Sequence, residues 1–329
     1  NIDYLAIIFA SWVAGGYYLP LNTNSLKRLI DEQIKESGVT ILSRIGDNGR
    51  SIIFERLSNY PNLKKRTLKN LSTDKGLAYV IFTSGSTGEK KGVAISERSL
   101  LAYIDSVKSI FSGKFVARSL IINGELTFDI SLADFAFALV FKTEIGITSA
   151  ASNLLSLCSI IKSRKIESVY AVPSTWELIL GLDEKIPDFS LAIKKNIFSG
   201  GEALTSKLLN KIRKQCPGAK IFNMYGPTEF TINCFYYEVL DDQFLDSSTE
   251  IVPIGRPFPG VNNILKFNSP TAIDGELMLG GKQIMEGYVN ATNPSVTMHE
   301  QSFYPTGDLA YQDENGMTHY VGRLRDYEK

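Results

Sequence analysis

The chain has 329 residues, enough for two or more packed units around a sizeable core. Hydrophobic residues make up 44% and charged residues 21%, which excludes a disordered chain. Lysine plus arginine equals aspartate plus glutamate at 35 each, so no net charge marks a nucleic-acid or acidic-membrane partner. The basic runs Lys64-Lys65-Arg66 and Lys162-Ser163-Arg164-Lys165 read as solvated faces. Cys158, Cys216 and Cys234 are widely spaced and form no CxxC pair. They argue against a disulfide framework or a zinc site and fit the reducing cytoplasm. The only histidines, His299 and His319, leave little room for His-based catalysis or transition-metal sites. No uninterrupted apolar stretch is long enough to span a bilayer. The apolar opening, residues 2–19, is broken by Asp3, Gly15 and Gly16 and lacks the basic flank of a signal peptide.

In chain order, residues 1–20 predict a helix ending at Gly15-Gly16, then a short extended segment closed by Pro20. Residues 26–37 read as helix and 39–42 as a short strand, and 44–75 are polar and irregular. Residues 77–82 read as a buried strand leading into a turn-forming cluster at 83–88, with a helix over 96–111. Helices are then predicted near 131–141, 152–164, 174–181 and 204–215, and strands at 168–172, 196–199 and 220–223. Such alternation predicts an α/β fold with largely parallel sheets. From about residue 230 the texture changes to short β-rich pieces at 251–254, 263–267, 275–279 and 317–321, which predict a smaller β-barrel-like unit.

Four segments carry chemistry. Residues 83–92, Thr-Ser-Gly-Ser-Thr-Gly-Glu-Lys-Lys-Gly, follow an apolar strand. Their glycines expose backbone N–H groups, and their hydroxyls and ammonium groups add donors, which suits a polyphosphate. The spacing is not that of a Walker A loop, and an ordinary polar turn is the competing reading. In Asn223-Met224-Tyr225-Gly226-Pro227-Thr228-Glu229, Tyr225 can stack on a base, Thr228 can bond a phosphate oxygen and Glu229 can hold a hard cation. The competing reading is a connecting turn. In Tyr304-Pro305-Thr306-Gly307-Asp308-Leu309, Asp308 is an acceptor suited to a diol, or else a turn cap. In Tyr320-Val321-Gly322-Arg323, the guanidinium suits phosphate oxygens, or else sits on the surface after a strand.

The run from Leu77 to Val93 closely resembles the phosphate-loop signature of the adenylate-forming superfamily, with Lys90 where the family usually has proline. The NxYGPTE, TGD and YxGR segments resemble further motifs of that superfamily. So do Gly275-Glu276-Leu277 through Gly287-Tyr288, expected as barrel scaffolding, and Ser199-Gly200-Gly201-Glu202. Phe128-Asp129-Ile130-Ser131 resembles the FDxS motif of its amino-acid-activating branch, where the aspartate pairs with the substrate's ammonium group. A partly buried carboxylate favours such a cation. The competing reading of Asp129 is a helix N-cap ahead of residues 132–139.

The resemblance implies an α/β core of two packed subdomains over residues 1–235, a β-barrel-like subdomain over 236–323, and the start of a hinge at 324–329. It implies that a C-terminal lid and its catalytic lysine lie beyond Lys329, and that the family's N-terminal opening precedes Asn1. The implied reaction is ATP- and Mg²⁺-dependent adenylation of an α-amino acid, with transfer to the phosphopantetheine thiol of a carrier protein or adjoining synthetase domain. Thr228, Glu229 and Arg323 are the implied catalytic residues, Glu229 holding the magnesium. ATP or AMP would be held by Thr83, Ser84, Gly85, Ser86, Thr87, Gly88, Lys91, Gly201, Glu202, Asn223, Tyr225, Gly226, Thr228, Asp308, Tyr320 and Arg323. Beside Asp129, the implied amino-acid pocket comprises Ile130, Ala133, Phe198, Gly200, Met224, Ile232 and Asn233, with Thr175 or Trp176 adding a wall. That set holds no charge, so a small or medium neutral amino acid is expected, threonine or serine in the first place. No nucleic-acid or membrane partner is expected. Two alternatives stay open. An acyl- or aryl-acid CoA ligase has no ammonium for Asp129 to pair with. A degenerate nucleotide-binding module would account for Lys90 and for Arg325, which stands where the family usually has aspartate.

Overall fold

The computed structural model describes residues 2–45, 52–57, 76–84, 90–122, 125–147, 154–182, 188–240, 250–298 and 300–326. The expected loop residues Gly85, Ser86, Thr87 and Gly88 lie outside the described residues. Contacts divide the chain into one unit of residues 1–100 and 285–293 and another of 101–284 and 294–329.

In the first unit, helix α1 (Ile2–Val13) ends as expected at Gly15, whose φ is +72°. Its Trp12 indole donates to the Ala78 carbonyl at 2.8 Å. Helix α2 (Lys27–Ser37) stops at Gly38, a left-handed residue whose N–H returns to the Ile34 carbonyl. Strands β1 (Ile41–Ile45) and β2 (Ile52–Arg56) pair antiparallel. Strands β3 (Leu77–Ser84) and β4 (Lys90–Ser96) also pair antiparallel, with Ser84 opposite Lys90. A connection this short cannot make the crossover that parallel strands need. The sequence reading placed only the end of a polar loop where β4 runs. The short strand Gly287–Tyr288 pairs with β4, so only the Gly275 half of the expected scaffold segment lies in the barrel-like sheet.

The second unit holds most of α3 (Glu97–Phe111) and a seven-stranded sheet. In chain order come β5 (Ser119–Ile122), α4 (Ile130–Phe141), β6 (Glu144–Ile147), α5 (Leu154–Arg164), β7 (Ser168–Ala171) and α6 (Pro173–Leu180). Then follow β8 (Asn196–Gly200), α7 (Ser206–Gln215), β9 (Lys220–Tyr225), β10 (Phe235–Val239) and β11 (Arg256–Pro257). The spatial order is β11-β10-β9-β8-β7-β5-β6, parallel from β9 to β6 and antiparallel at β10 and β11. The α/β fold with a largely parallel sheet is therefore as expected. The expected boundary near residue 235 falls inside this sheet.

Side-chain alternation gives the sheet two different faces. Val169, Ile197 and Ile221 join Trp176, Ile179, Leu209 and Ile212 in an aliphatic core with α5, α6 and α7. Phe198 and Phe222 turn the other way, with Phe198 lying 4.7 Å from Phe137 and 5.6 Å from Phe111, centroid to centroid. Each buried ring or branched side chain contributes roughly 1.5–3 kcal/mol.

The remaining strands are β12 (Val261–Lys266), β13 (Gly275–Gly281), β14 (the Gly287–Tyr288 strand of the first unit), β15 (Val296–Met298), β16 (Gln301–Gln312) and β17 (Thr318–Arg323). Without β14 they form a five-stranded antiparallel sheet, irregular at Glu276/Met278 and Leu309/Ala310. Residues 301–312 form one long strand that the sequence reading missed, because Pro305 and Gly307 imitate a turn. Residues 251–254, expected as a strand, make an isolated bridge from Ile251 to Thr205.

Gly255 joins the two sheets through paired hydrogen bonds with Thr318, at 3.0 and 2.9 Å. Its φ is +86°, and a Cβ there would overlap the Tyr236 carbonyl. Gly255→Ala is expected to cost about 3 kcal/mol or more in urea unfolding. A loss below about 1 kcal/mol would show that the junction yields easily.

Candidate active site

In the first unit, the arms of the expected phosphate loop are braced on both sides. Thr83 lies near the end of β3, and Lys91 near the start of β4 holds its ammonium 5.3 Å from the Tyr288 ring centroid. Asn290 accepts from the Gly92 N–H at 3.0 Å and donates to the Lys90 carbonyl at 2.9 Å. A Cβ on Gly92 would stand 2.5 Å from Val289 and 2.9 Å from Phe82, so glycine is needed there.

In the second unit, Asp129 occupies the N-cap position of α4, but its side chain makes no capping hydrogen bond. It is 8% exposed, and its Oδ2 has no hydrogen-bond partner among the described residues. Burial pushes its carboxyl up to about 6. The Thr228 hydroxyl and the Ile232 and Ile130 amides offset part of that rise, while the nearby Glu229 charge adds to it. Burial likewise raises the Asp308 carboxyl, the Tyr225 hydroxyl and the Arg323 charge oppose that rise, and the Glu229 and Glu276 charges add to it. The carboxylates of Asp129, Glu229 and Asp308 thus act on one another around the end of β9 and the turn after it.

The turn after β9 begins at Gly226, where a Cβ would sit 2.6 Å from the Ile232 carbonyl oxygen and 2.6 Å from the Asn233 Cα. A short 3-10 turn, Thr228–Phe230, follows. Thr231 and Ile232 then take φ values of +56° and +68°. Such conformations cost β-branched residues energy and cluster at functional sites.

The expected pocket residues gather beside this loop. A Cβ built on Gly201 would lie 3.9 Å from the Ile130 side chain. One built on Gly200 would lie 2.7 Å from the Tyr170 hydroxyl and 2.6 Å from the Met224 carbonyl oxygen. Ala133, Phe198, Met224, Ile232 and Asn233 are all buried. Asn233 is already engaged, its Oδ1 lying 3.0 Å from the Tyr170 hydroxyl. Trp176 belongs to the aliphatic core on the other face of the sheet, its indole donating to the Phe198 carbonyl at 3.1 Å.

Four residues near this loop and pocket escaped sequence reasoning: Tyr170, Tyr103, Asp134 and Gln283. The alternation of β7 puts Tyr170 on the Phe198 face, a signal that was available. Tyr103 and Asp134 are buried, the Tyr103 hydroxyl lacks a hydrogen-bond partner among the described residues, and burial pushes the Asp134 carboxyl well up.

Three residues of the implied nucleotide set converge at the end of β9. The Tyr225 hydroxyl donates to Asp308 Oδ2 at 2.6 Å. Arg323 Nε lies 3.2 Å from Asp308 Oδ1, an ion pair whose alignment leaves Oδ1 without a hydrogen bond. Arg323 Nη1 also donates to the Thr306 carbonyl at 3.1 Å. Asp308 lies within a strand, opposite Arg323, so it is not a turn cap. Tyr320 pairs with Ala310 in the same ladder. Two expected nucleotide residues have structural partners. Asn223 donates to the Val252 and Pro253 carbonyls at 3.2 and 2.9 Å. Glu202 accepts from the Ser174 amide and hydroxyl, each at 2.9 Å, at the start of α6. Among the described residues no group of three or more His, Cys, Asp or Glu could hold a metal alone. Glu229 could supply one hard oxygen, which fits magnesium sharing phosphate oxygens and water.

The family model for AMP-binding enzymes matches residues 1–289. The chain belongs to this family. It is 30% identical to dapdiamide synthesis protein DdaD of Enterobacter agglomerans, over 100% of the chain and 56% of DdaD. It is 27% identical to nonribosomal peptide synthetase agiA of Aspergillus flavus, over 100% of the chain and 4% of that protein. The chain thus spans about half, or much less, of the relatives it matches. The fold matches the Vibrio cholerae adenylation domain AlmE, solved with glycyl-adenosine-5'-phosphate. The TM-score is 0.77 at 23% identity, over 98% of the chain and 68% of AlmE. The AMP-binding fold is therefore established in this chain. No described helix is long and apolar enough to cross a membrane.

The state of Asp129 has a measurable consequence. The folded carboxyl takes up a proton near pH 6, whereas the unfolded one waits until about pH 4. Burial thus costs stability above about pH 6, and the cost fades as pH falls toward about 4. Asp129→Asn is expected to stabilise the ligand-free protein by about 1–3 kcal/mol at pH 7.5, the gap closing toward pH 4 in chemical denaturation. A variant less stable than wild type at pH 7.5 would contradict an unpaired carboxylate.

Proposed function

We propose that the chain binds ATP and an α-amino acid and joins them as aminoacyl-AMP, releasing pyrophosphate. The observation that carries this reading is the buried, uncapped Asp129 with its unpartnered Oδ2. An ammonium group would supply the missing cation and draw the carboxyl back to its charged form. A fatty or aryl acid offers no such partner, so the carboxylate would stay unpaired.

The other residues take complementary roles. The Tyr225 ring offers a face to the base, and Asp308 Oδ1, ion-paired with Arg323 but without a hydrogen bond, is the acceptor for a ribose hydroxyl. The Arg323 charge opposes the rise that burial causes in that carboxyl, and its side chain is half-exposed, open to phosphate oxygens. By its likeness to the family's phosphate loop, the sequence of residues 83–91 suits a polyphosphate through its backbone and side-chain donors. The substrate carboxylate attacks the α-phosphorus, and the bond to the bridging oxygen of pyrophosphate breaks. The Thr228 hydroxyl and the Arg323 guanidinium stabilise the charge that spreads over the phosphoryl oxygens. Magnesium held by Glu229 would neutralise part of the polyphosphate charge.

The pocket favours a small or medium neutral side chain. Ile130, Phe198, Met224 and Ile232 offer apolar walls, and the Tyr170–Asn233 pair offers the polar tip that threonine or serine would meet. AlmE's glycyl adenylate is an example of the ligand class. Kinship with a nonribosomal peptide synthetase supports transfer of the aminoacyl group to a carrier-protein phosphopantetheine thiol, within a multidomain synthetase in the cytoplasm.

Calorimetry with threonyl- and seryl-sulfamoyl adenosine, against desamino counterparts, tests the reading. The amino compounds are expected to bind at least about tenfold more tightly above pH 7 and to weaken about tenfold per pH unit below about 6. Asp129→Ala should erase the difference. Equal binding of the desamino compounds to wild type would refute the amine assignment.

A further inference from the structure

The left-handed pair Thr231–Ile232 needs a restraint, because neither residue adopts that conformation willingly. One side chain supplies it. Gln283 follows β13 and is 2% exposed. Its Nε2 donates to the carbonyls of Asn233 at 2.9 Å, Thr231 at 3.3 Å and Phe230 at 3.4 Å. In return, the Thr231 hydroxyl donates to the Gln283 carbonyl at 2.6 Å. Three carbonyls share two amide hydrogens, so the shortest bond, to Asn233, leads. The orientation of the amide is fixed, since reversing it would aim Oε1 at three carbonyl oxygens. Oε1 is instead buried without a hydrogen-bond partner among the described residues. The site forgoes that acceptor to keep the donors, as expected of a side chain whose work is to hold backbone.

We infer that Gln283 is a positioning residue for the amine site: it clamps the strained turn that carries Thr228, Glu229, Ile232 and Asn233 past Asp129. Without the clamp the turn relaxes toward ordinary φ values. The Ile232 amide and the Thr228 hydroxyl then lose their places beside the carboxylate, while the Tyr225–Asp308–Arg323 cluster keeps its own contacts. Gln283 thus supports the amino-acid half of the ligand more than the nucleotide half, an inference that rests on the adenylation reading.

Gln283→Met keeps side-chain length and deletes the donors. It is expected to weaken threonyl-sulfamoyl adenosine at least about tenfold and AMP less than about threefold in calorimetry. Without ligand, the amides of Thr231 and Cys234, now bonded to the Thr228 and Tyr225 carbonyls, are expected to exchange hydrogen at least about tenfold faster. If Gln283→Met does not fold, Gln283→Asn, whose amide falls short of the three carbonyls, carries both measurements. Equal losses for the two ligands, or unchanged exchange at both amides, overturns the inference. If wild type shows no preference for the aminoacyl compound over AMP, the adenylation reading fails. The exchange comparison then decides the clamp by itself.

Discussion

A carboxylate buried without a cation governs the second unit. Burial raises the carboxyls of both Asp129 and Asp308, and the Glu229 charge adds to each rise. Taking up a proton or meeting a cation would relieve that burial. Stability is given up locally, and the surrounding sheet carries the cost.

The sheet explains why the charge collects there. From β5 the chain moves outward to β6, then returns past β5 to β7, β8 and β9. The strand order therefore reverses between β5 and β7, and open parallel sheets bind ligands at the carboxyl ends of their strands beside such a point. Asp129 follows β5, Gly200 ends β8 and Tyr225 ends β9. Glycines at 200 and 226 let neighbouring backbone and hydroxyls approach within distances that a Cβ would forbid. The aromatic face beneath, built from Phe111, Phe137, Phe198 and Phe222, makes a stiff floor.

Much of this was legible in the sequence. The helix periodicities near 131–141, 152–164, 174–181 and 204–215 and the apolar runs of β7, β8 and β9 mark the parallel sheet directly, each helix falling within two residues of its expected bounds. The motif residues Asp129, Tyr225, Asp308 and Arg323 stood out in the sequence because acceptor-only carboxylates, a phenol ring and a guanidinium suit an aminoacyl nucleotide, and the structure brings Tyr225, Asp308 and Arg323 into contact. Strand β16 was hidden because Pro305 and Gly307 tolerate a strand only where the ladder is irregular, and pattern alone does not reveal a bulge. Gln283 was invisible for a different reason. Its partners lie about fifty residues away in the chain and are backbone carbonyls, which leave no trace in side-chain pattern. The strain at Thr231 and Ile232 was equally hidden, since β-branched residues signal strand rather than left-handed turn.

The most direct test is the titration of Asp129 itself, followed by carboxyl carbon NMR of the protein labelled at aspartate. The account predicts a midpoint near pH 6 in the free protein, with a fall below about 4 when an aminoacyl-sulfamoyl adenosine is bound. A midpoint near 4 in the free protein, or one that ligand leaves unmoved, would contradict it.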